Sequence, residues 1–323
     1  MNDKIKNFPI YSDVIKSVSN MKDLTLPKFS IGSNVDDHVE KITKLFTNEF
    51  GWIPNIINLF TPREFPFKIY RVRELSSFTN TDLFTEYSYP PINKVGMGRC
   101  NFPNYPVFYC SDNAAVALIE VVRESDNPNR KYCISKWEIN PSDEKFVFQS
   151  FLETDIPREN IYSELNVIQK NKINKLFAND LNEEMRKGLF EYLKYLNNVF
   201  ISDKNYSISA SLVHRILYPK SQFTTDMLMY PSAQTMYKGI NIVIHPNFVE
   251  NQMKITRFYI AKCDNYNPKT GIIKSSFLKY ADIKKNQINW KNINPDDILF
   301  QKYVREDFSD LIKPNSKFKF YKE

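Results

Sequence analysis

GMGRCNFPNYPVFYCSDNAAVALIE, residues 96–120, runs from a glycine turn through a short strand into a helix. Gly96, Gly98, Asn101, Pro103 and Asn104 give the loop signal. Tyr105 to Cys110 (YPVFYC) reads as a short aromatic strand. Ser111 or Asp112 then offers an N-cap for a helix from Asn113 to about Glu124, with Ala114, Ala117, Leu118 and Val121 as its apolar stripe. A strand, a turn and a helix in sequence also open dinucleotide-binding folds, but the glycine pattern here is wrong for one. Asn101 stands where the third glycine of G-x-G-x-x-G belongs, and no phosphate-cradling P-loop occurs anywhere in the chain.

Outward from this stretch, short strands and helices alternate irregularly. Phe67–Arg73 (FKIYRVR) puts Phe67, Ile69, Arg71 and Arg73 on one side and Lys68, Tyr70 and Val72 on the other. Neither side is cleanly apolar, so the strand is expected to border a polar cavity shared by Arg71 and Arg73. Further strands are expected at Lys131–Ile139, Met227–Ser232, Gly239–His245 and Ile255–Cys263. Asn34–Phe50 reads as an amphipathic helix capped by Asn34 and stopped by Gly51. Residues 140–205 are polar, Asn- and Lys-rich and mostly helical in pattern, with the strongest helix at Leu181–Val199. A second helix follows at Ser207–Leu217. From Asp264 the tail is charged and Asn-rich, with one or two short helices. Such mixed short strands favour an α+β fold over a doubly wound sheet.

With 323 residues, 42% hydrophobic and 15% aromatic, the chain can bury a large core and is not disordered. The formal charge of +7 is spread along the chain rather than blocked, which suits a polyanionic or dinucleotide partner without demanding one. Cys100, Cys110, Cys133 and Cys263 form no C-x-x-C pair, and His38, His214 and His245 are far apart, so a zinc site is not expected. His38 and His214 are read as packed helix residues. Reduced thiols, the absence of a signal-peptide pattern and the lack of a long apolar run point to a cytoplasmic protein without a membrane span.

Two segments, 96–120 and 226–245 (DMLMYPSAQTMYKGINIVIH), carry a resemblance to the RES domain family, toxins of bacterial toxin–antitoxin pairs. The resemblance rests on Tyr70-Arg71 in an opening strand, Gly98-Arg99, Tyr109 ending a short strand, Glu120 on the following helix, Tyr230-Pro231-Ser232, and Gly239-Ile240-Asn241. The departures are Cys100 in place of an aromatic, Asn104 in place of a glycine, and Asp226-Met227 in place of Asp-Gly. The resemblance implies an ADP-ribosyltransferase-like mixed β core with flanking helices at 66–264. It also implies a helical N-terminal extension at 1–65, a helical insertion at 140–205 and a C-terminal extension at 265–323.

It further implies NAD⁺ as substrate, with no bound cofactor, and inorganic phosphate or water as acceptor of ADP-ribose. Breaking the nicotinamide–ribose bond builds an oxocarbenium ion, which a carboxylate stabilises. Glu120 is the one acid within AAVALIEVV and is the candidate. Arg99, Tyr109 and Ser232 complete the expected catalytic set, with Ser232 orienting Glu120 or holding a ribose hydroxyl. Arg71 and Arg99 suit the diphosphate, with Arg73 as a third candidate after them, and Tyr70, Asn101 and Tyr230 complete the substrate-binding set. Two positions before Glu120 stands Leu118, where arginine-directed ADP-ribosyltransferases carry Glu or Gln. That favours NAD⁺ breakdown over modification of a protein or nucleic acid. Expected partners are a separate antitoxin, through which alone nucleic acid would be reached, and a second copy of the chain. The reading from another class, an inactive nucleotide- or RNA-binding module, predicts no nicotinamide release and a steep salt dependence of RNA binding.

Overall fold

The computed structural model describes residues 8–63, 68–122, 130–150, 156–158, 160, 163–220, 224–267 and 272–308. Phe67, Arg123 and Glu124, which the sequence placed in a strand and a helix end, lie outside them, as does residue 309 onward. The chain forms two compact units. The first comprises residues 1–58, 91–107 and 147–229; the second comprises 59–90, 108–146 and 230–323. Helices and strands follow in no regular alternation, and parallel and antiparallel pairings both occur among the described residues. The fold is α+β, with a helical N-terminal region.

The first unit is mainly helical. Its elements are α1 (Tyr11–Asp23), α2 (Val35–Phe50), α4 (Ser163–Leu176), α5 (Glu183–Ser202) and α6 (Ser207–Leu217). Asn34 caps α2 by accepting the Asp37 N–H, and the Gly51 N–H closes it on the Thr47 carbonyl, as the sequence indicated. Phe46 and Phe50 bury their rings against Tyr195 of α5, and Phe50 stacks on Tyr192 with ring centroids 4.0 Å apart. His38 and His214 are both buried. Each is packed edge-on to the ring of Phe102, so both are core residues, as expected. A strand the sequence did not reveal, β5 (Phe146–Ser150), pairs in parallel with β6 (Met227–Pro231). Five residues, FVFQS, flanked by charge and Asn, are too few to impose a period on a region of helical pattern.

The second unit is built on antiparallel strands. β2 (Lys68–Glu74), β3 (Phe108–Ser111), β4 (Lys131–Ile139), β7 (Ile240–Ile244), β8 (Met253–Asn267), β9 (Ile272–Lys284) and β10 (Gln287–Asn292) are ordered β7-β3-β2-β4-β8-β9-β10. β1 (Ile57–Phe60) completes the strand set. The expected strand at Tyr105–Cys110 begins only at Phe108, because Pro106 has no N–H to give a ladder and the Tyr105 N–H is used in a turn onto Phe102. The tail read as one or two short helices instead contributes β9 and β10, with one helix, α8 (Ile298–Phe308). A two-residue hairpin joins β9 to β10 with Lys285 and Asn286 both at positive φ, 49° and 59°. Hairpins of that kind usually announce themselves by Asn-Gly, and here the glycine is missing.

α3 (Ala114–Val122) packs Ala114, Ala117, Leu118 and Val122 into a core with Tyr70 and Val72 of β2, Tyr259 and Ala261 of β8, and Phe300, Val304 and Phe308 of α8. Its cap is Asn113, whose Oδ1 accepts the N–H of Ala115 and Val116, not Ser111 or Asp112. Ser111 ends β3 instead. α7 (Pro246–Gln252) starts with Pro246 at its first position, behind His245, whose Nδ1 accepts the Asn247 N–H.

Burial lowers the pKa of all three histidines, His38, His214 and His245. The fold therefore favours their neutral forms, while the unfolded chain takes up protons near pH 6.5. Stability from this source is complete above about pH 6.5 and is lost as the pH falls below it. The denaturation midpoint, followed between pH 8 and 5.5, is expected to fall on the acid side. A midpoint that rises on acidification would contradict this packing of the histidines.

Candidate active site

Glu120 lies on the last turn of α3, the only position of that helix with a carboxylate. Two donors from distant parts of the second unit converge on its Oε1: the Ser232 hydroxyl at 2.6 Å and the Asn241 side-chain amide at 2.7 Å. Ser232 is fully buried, directly after β6, and its backbone N–H bonds the Gly239 carbonyl. Its Oγ also accepts the Thr235 N–H at 3.3 Å, so the hydroxyl proton is directed to the carboxylate. Ser232 thus orients Glu120, one of the two uses the sequence suggested for it.

Asn241 is the residue the sequence reading quoted in a motif but assigned no part. It sits on β7 opposite Ser111 of β3, and its Oδ1 accepts the Ser111 hydroxyl at 3.0 Å. That bond fixes which end of the amide carries the donor, so the NH₂ must face Glu120. The available signal was the alternation of β7: in GINIVI, Asn241 is the one polar residue in a strand buried throughout, and a buried Asn needs partners. The result is a chain Ser111–Asn241–Glu120–Ser232–Thr235 in which each link is a hydrogen bond.

Gly239 is required by the same packing. A Cβ there would stand 2.3 Å from Cγ2 and 2.9 Å from Cγ1 of Val116 on α3. Gly239→Ala is expected to cost about 1–3 kcal/mol through overpacking, read as a lowered denaturation midpoint. Val116→Ala in the same chain should return part of that loss; an equal loss in both backgrounds would show that the approach to Val116 is not the cause.

Arg71 and Arg73 share one side of β2, as read from the alternation. That side meets aromatic rings rather than a polar cavity. The Arg71 guanidinium lies 5.1 Å from the Phe108 ring centroid and donates to the Tyr109 carbonyl at 2.8 Å. No carboxylate pairs with it among the described residues, and its Nε has no hydrogen-bond partner. Burial, and then the neighbouring Arg73, pull its pKa down to about 10. A guanidinium held this way is a cation in want of an anion. Arg73 is already supplied: it lies 4.4 Å from the Phe78 ring centroid and pairs with Glu86. Tyr109 is half-buried on β3 opposite Val243. Tyr70 is packed into the α3 core, 1% exposed, and Tyr230 is buried on β6.

Arg99 and Asn101 belong to the first unit. The Arg99 guanidinium donates to the carbonyls of Phe200 and Ile201, the latter at 2.8 Å, and lies 5.3 Å from the Tyr206 ring centroid. It serves the C-terminal end of α5, where carbonyls lack intrahelical donors. Asn101 closes the glycine turn: its amide donates to the carbonyls of Gly96 and Phe102, and its backbone bridges Gly98. Asn104 adopts a left-handed φ of 67°. Asn tolerates that region better than most residues.

Among the described residues no group of His, Cys, Asp and Glu could hold a metal ion, and no helix is long and apolar enough to cross a membrane. All four cysteines are free and buried. An oriented carboxylate on a buried helix thus lies beside antiparallel strands that carry Arg71, whose Nε has no hydrogen-bond partner. The family comparison agrees with the resemblance seen in the sequence: the RES domain model matches residues 68–145. That range contains Arg71, Arg73, Arg99, Tyr109 and Glu120, while Tyr230, Ser232 and Asn241 lie beyond it. No curated protein gives a significant match to the chain.

Proposed function

We propose that this chain cleaves NAD⁺ between nicotinamide and ribose, as the toxin of a toxin–antitoxin pair, on a core of ADP-ribosyltransferase type. The observation that carries the reading is the convergence of Ser232 and Asn241 on one oxygen of Glu120, in a chain whose residues 68–145 match the RES domain. In the reaction the C–N bond to ribose breaks and its electron pair leaves with nicotinamide, which becomes neutral. The anomeric carbon becomes cationic and is then taken by an oxygen of phosphate or water, giving ADP-ribose 1″-phosphate or ADP-ribose. A carboxylate already aimed by two hydrogen bonds stabilises that cation without reorganising. Arg71 takes a phosphate of the diphosphate, which supplies its missing counter-charge, and Tyr109 of the adjacent strand takes nicotinamide or ribose.

The test is direct. The purified protein is incubated with NAD⁺, with and without inorganic phosphate, and the products are identified by mass. If phosphate is the acceptor, nicotinamide is expected only with phosphate present, together with ADP-ribose 1″-phosphate; if water is, nicotinamide and ADP-ribose are expected in both incubations. ADP-ribose retained on a macromolecule would replace this reading by transfer to a protein or nucleic acid. No nicotinamide at all, combined with salt-sensitive RNA binding, would replace it by a binding module.

A further inference from the structure

The two donors on Glu120 differ in how they are held. The Ser232 hydroxyl is directed by a backbone group, the Thr235 N–H, which donates to its oxygen. The Asn241 amide is directed by a side chain, the Ser111 hydroxyl at 3.0 Å. An amide turned end for end keeps its shape, but it would set Oδ1 against a carboxylate that can only accept. With Glu120 ionised, Asn241 must give its NH₂ to Glu120. Its Oδ1 is then left facing away, in a buried place where it needs a donor.

Ser111 stands where that donor is needed. It is 1% exposed, at the end of β3, opposite Tyr70 of β2 on one side and Asn241 of β7 on the other. A serine just before a helix is a natural cap. Here Asn113 caps α3, and the Ser111 hydroxyl goes to Asn241 instead. Through the one amide, Ser111 at the end of β3 and Glu120 on the last turn of α3 are both tied to β7.

We propose that Ser111 is a positioning residue for the reaction, acting on Glu120 through Asn241 and not on the substrate. Its consequence for turnover rests on the NAD⁺ reading; its hold on the amide does not. Without the hydroxyl, Oδ1 becomes a buried acceptor with no donor, and the amide turns or leaves the carboxylate.

The full chain and three variants test this: Ser111→Ala, Asn241→Ala and the two together. Ser111→Ala is expected to lower kcat for nicotinamide release roughly tenfold with KM nearly unchanged, as loss of one orienting hydrogen bond does. In the Asn241→Ala background it should lower kcat no further, because the group it acts through is gone. Losses that multiply in the double variant would overturn the proposal. The amide itself is read without turnover, by nuclear magnetic resonance of protein carrying isotope-labelled asparagine. The Asn241 NH₂ signal, assigned by its disappearance in Asn241→Ala, should be protected from solvent exchange in the parent and lose that protection in Ser111→Ala. A signal indifferent to Ser111→Ala would overturn the proposal even if the rate falls. A parent that releases no nicotinamide, while its amide signal responds to Ser111→Ala, would sink the NAD⁺ reading and leave Ser111 as the residue that aims Asn241 at Glu120.

Discussion

Glu120→Gln is expected to lower nicotinamide release by roughly 10²–10³-fold, acting on kcat and leaving KM nearly unchanged. The substitution keeps the shape of the side chain and an oxygen able to accept from both Ser232 and Asn241. It removes only the negative charge, which matters more in the transition state, where cationic charge develops on the anomeric carbon, than in the ground state. The denaturation midpoint should therefore stay where it is, and that separates a chemical role from a structural one. Ser232→Ala and Asn241→Ala leave the charge but release its orientation, so each should fall between the parent and Glu120→Gln. If Glu120→Gln turns over NAD⁺ at the parental rate, the carboxylate does no chemistry and the proposed site is wrong.

The largest effect on stability is expected from Asp307→Ala, at about 3–5 kcal/mol. Asp307, near the end of α8, has a fully buried carboxylate. Lys136 of β4 reaches it at 2.9 Å, Arg257 of β8 at 3.0 Å, and the Tyr259 hydroxyl donates to it at 2.6 Å. Arg257 keeps a second partner in Glu306 and lies 3.7 Å from the Tyr303 ring centroid. Lys136 has only the half-exposed Glu138 at 3.5 Å besides, so removing Asp307 strands a buried ammonium. Denaturant unfolding measures the loss. Replacing the pair together, Lys136→Met with Asp307→Leu, should recover most of it, because two charges then leave the interior at once. A double variant as unstable as Asp307→Ala would show that the loss comes from packing of α8. Phe300, Val304 and Phe308 of this helix share the core of α3, so Asp307→Ala is also expected to reduce turnover.

Much of the fold was legible where a segment carries one strong period or an unmistakable cap. The strand Lys131–Ile139 and the helix Ser207–Leu217 fall where the sequence put them, because each has a continuous apolar face and clear ends. The β9–β10 hairpin did not show itself, since IIKSSFLKYADIK mixes Lys and Ser with its apolar residues and turns on Lys285-Asn286 instead of Asn-Gly. Half-exposed strands of that kind are stabilised by their neighbours in the sheet more than by their own composition. Arg99 shows the same limit at the level of a side chain. Its place in a Gly-Arg turn was visible, but its two carbonyl acceptors lie more than 100 residues away on α5, and no local pattern encodes them.

By itself the sequence determined the α+β class, the lone carboxylate in an apolar helix and the order of the motifs around it, because these depend on residues near one another along the chain. Only the tertiary structure decided that Ser232 and Asn241 meet on a single oxygen of Glu120, that Ser111 sets the direction of the Asn241 amide, and that Gly239 exists to admit Val116. Those are contacts between residues about 110 to 130 positions apart. They form because the antiparallel strands bring distant segments to hydrogen-bonding distance, and a buried polar group is tolerated only where such a partner arrives.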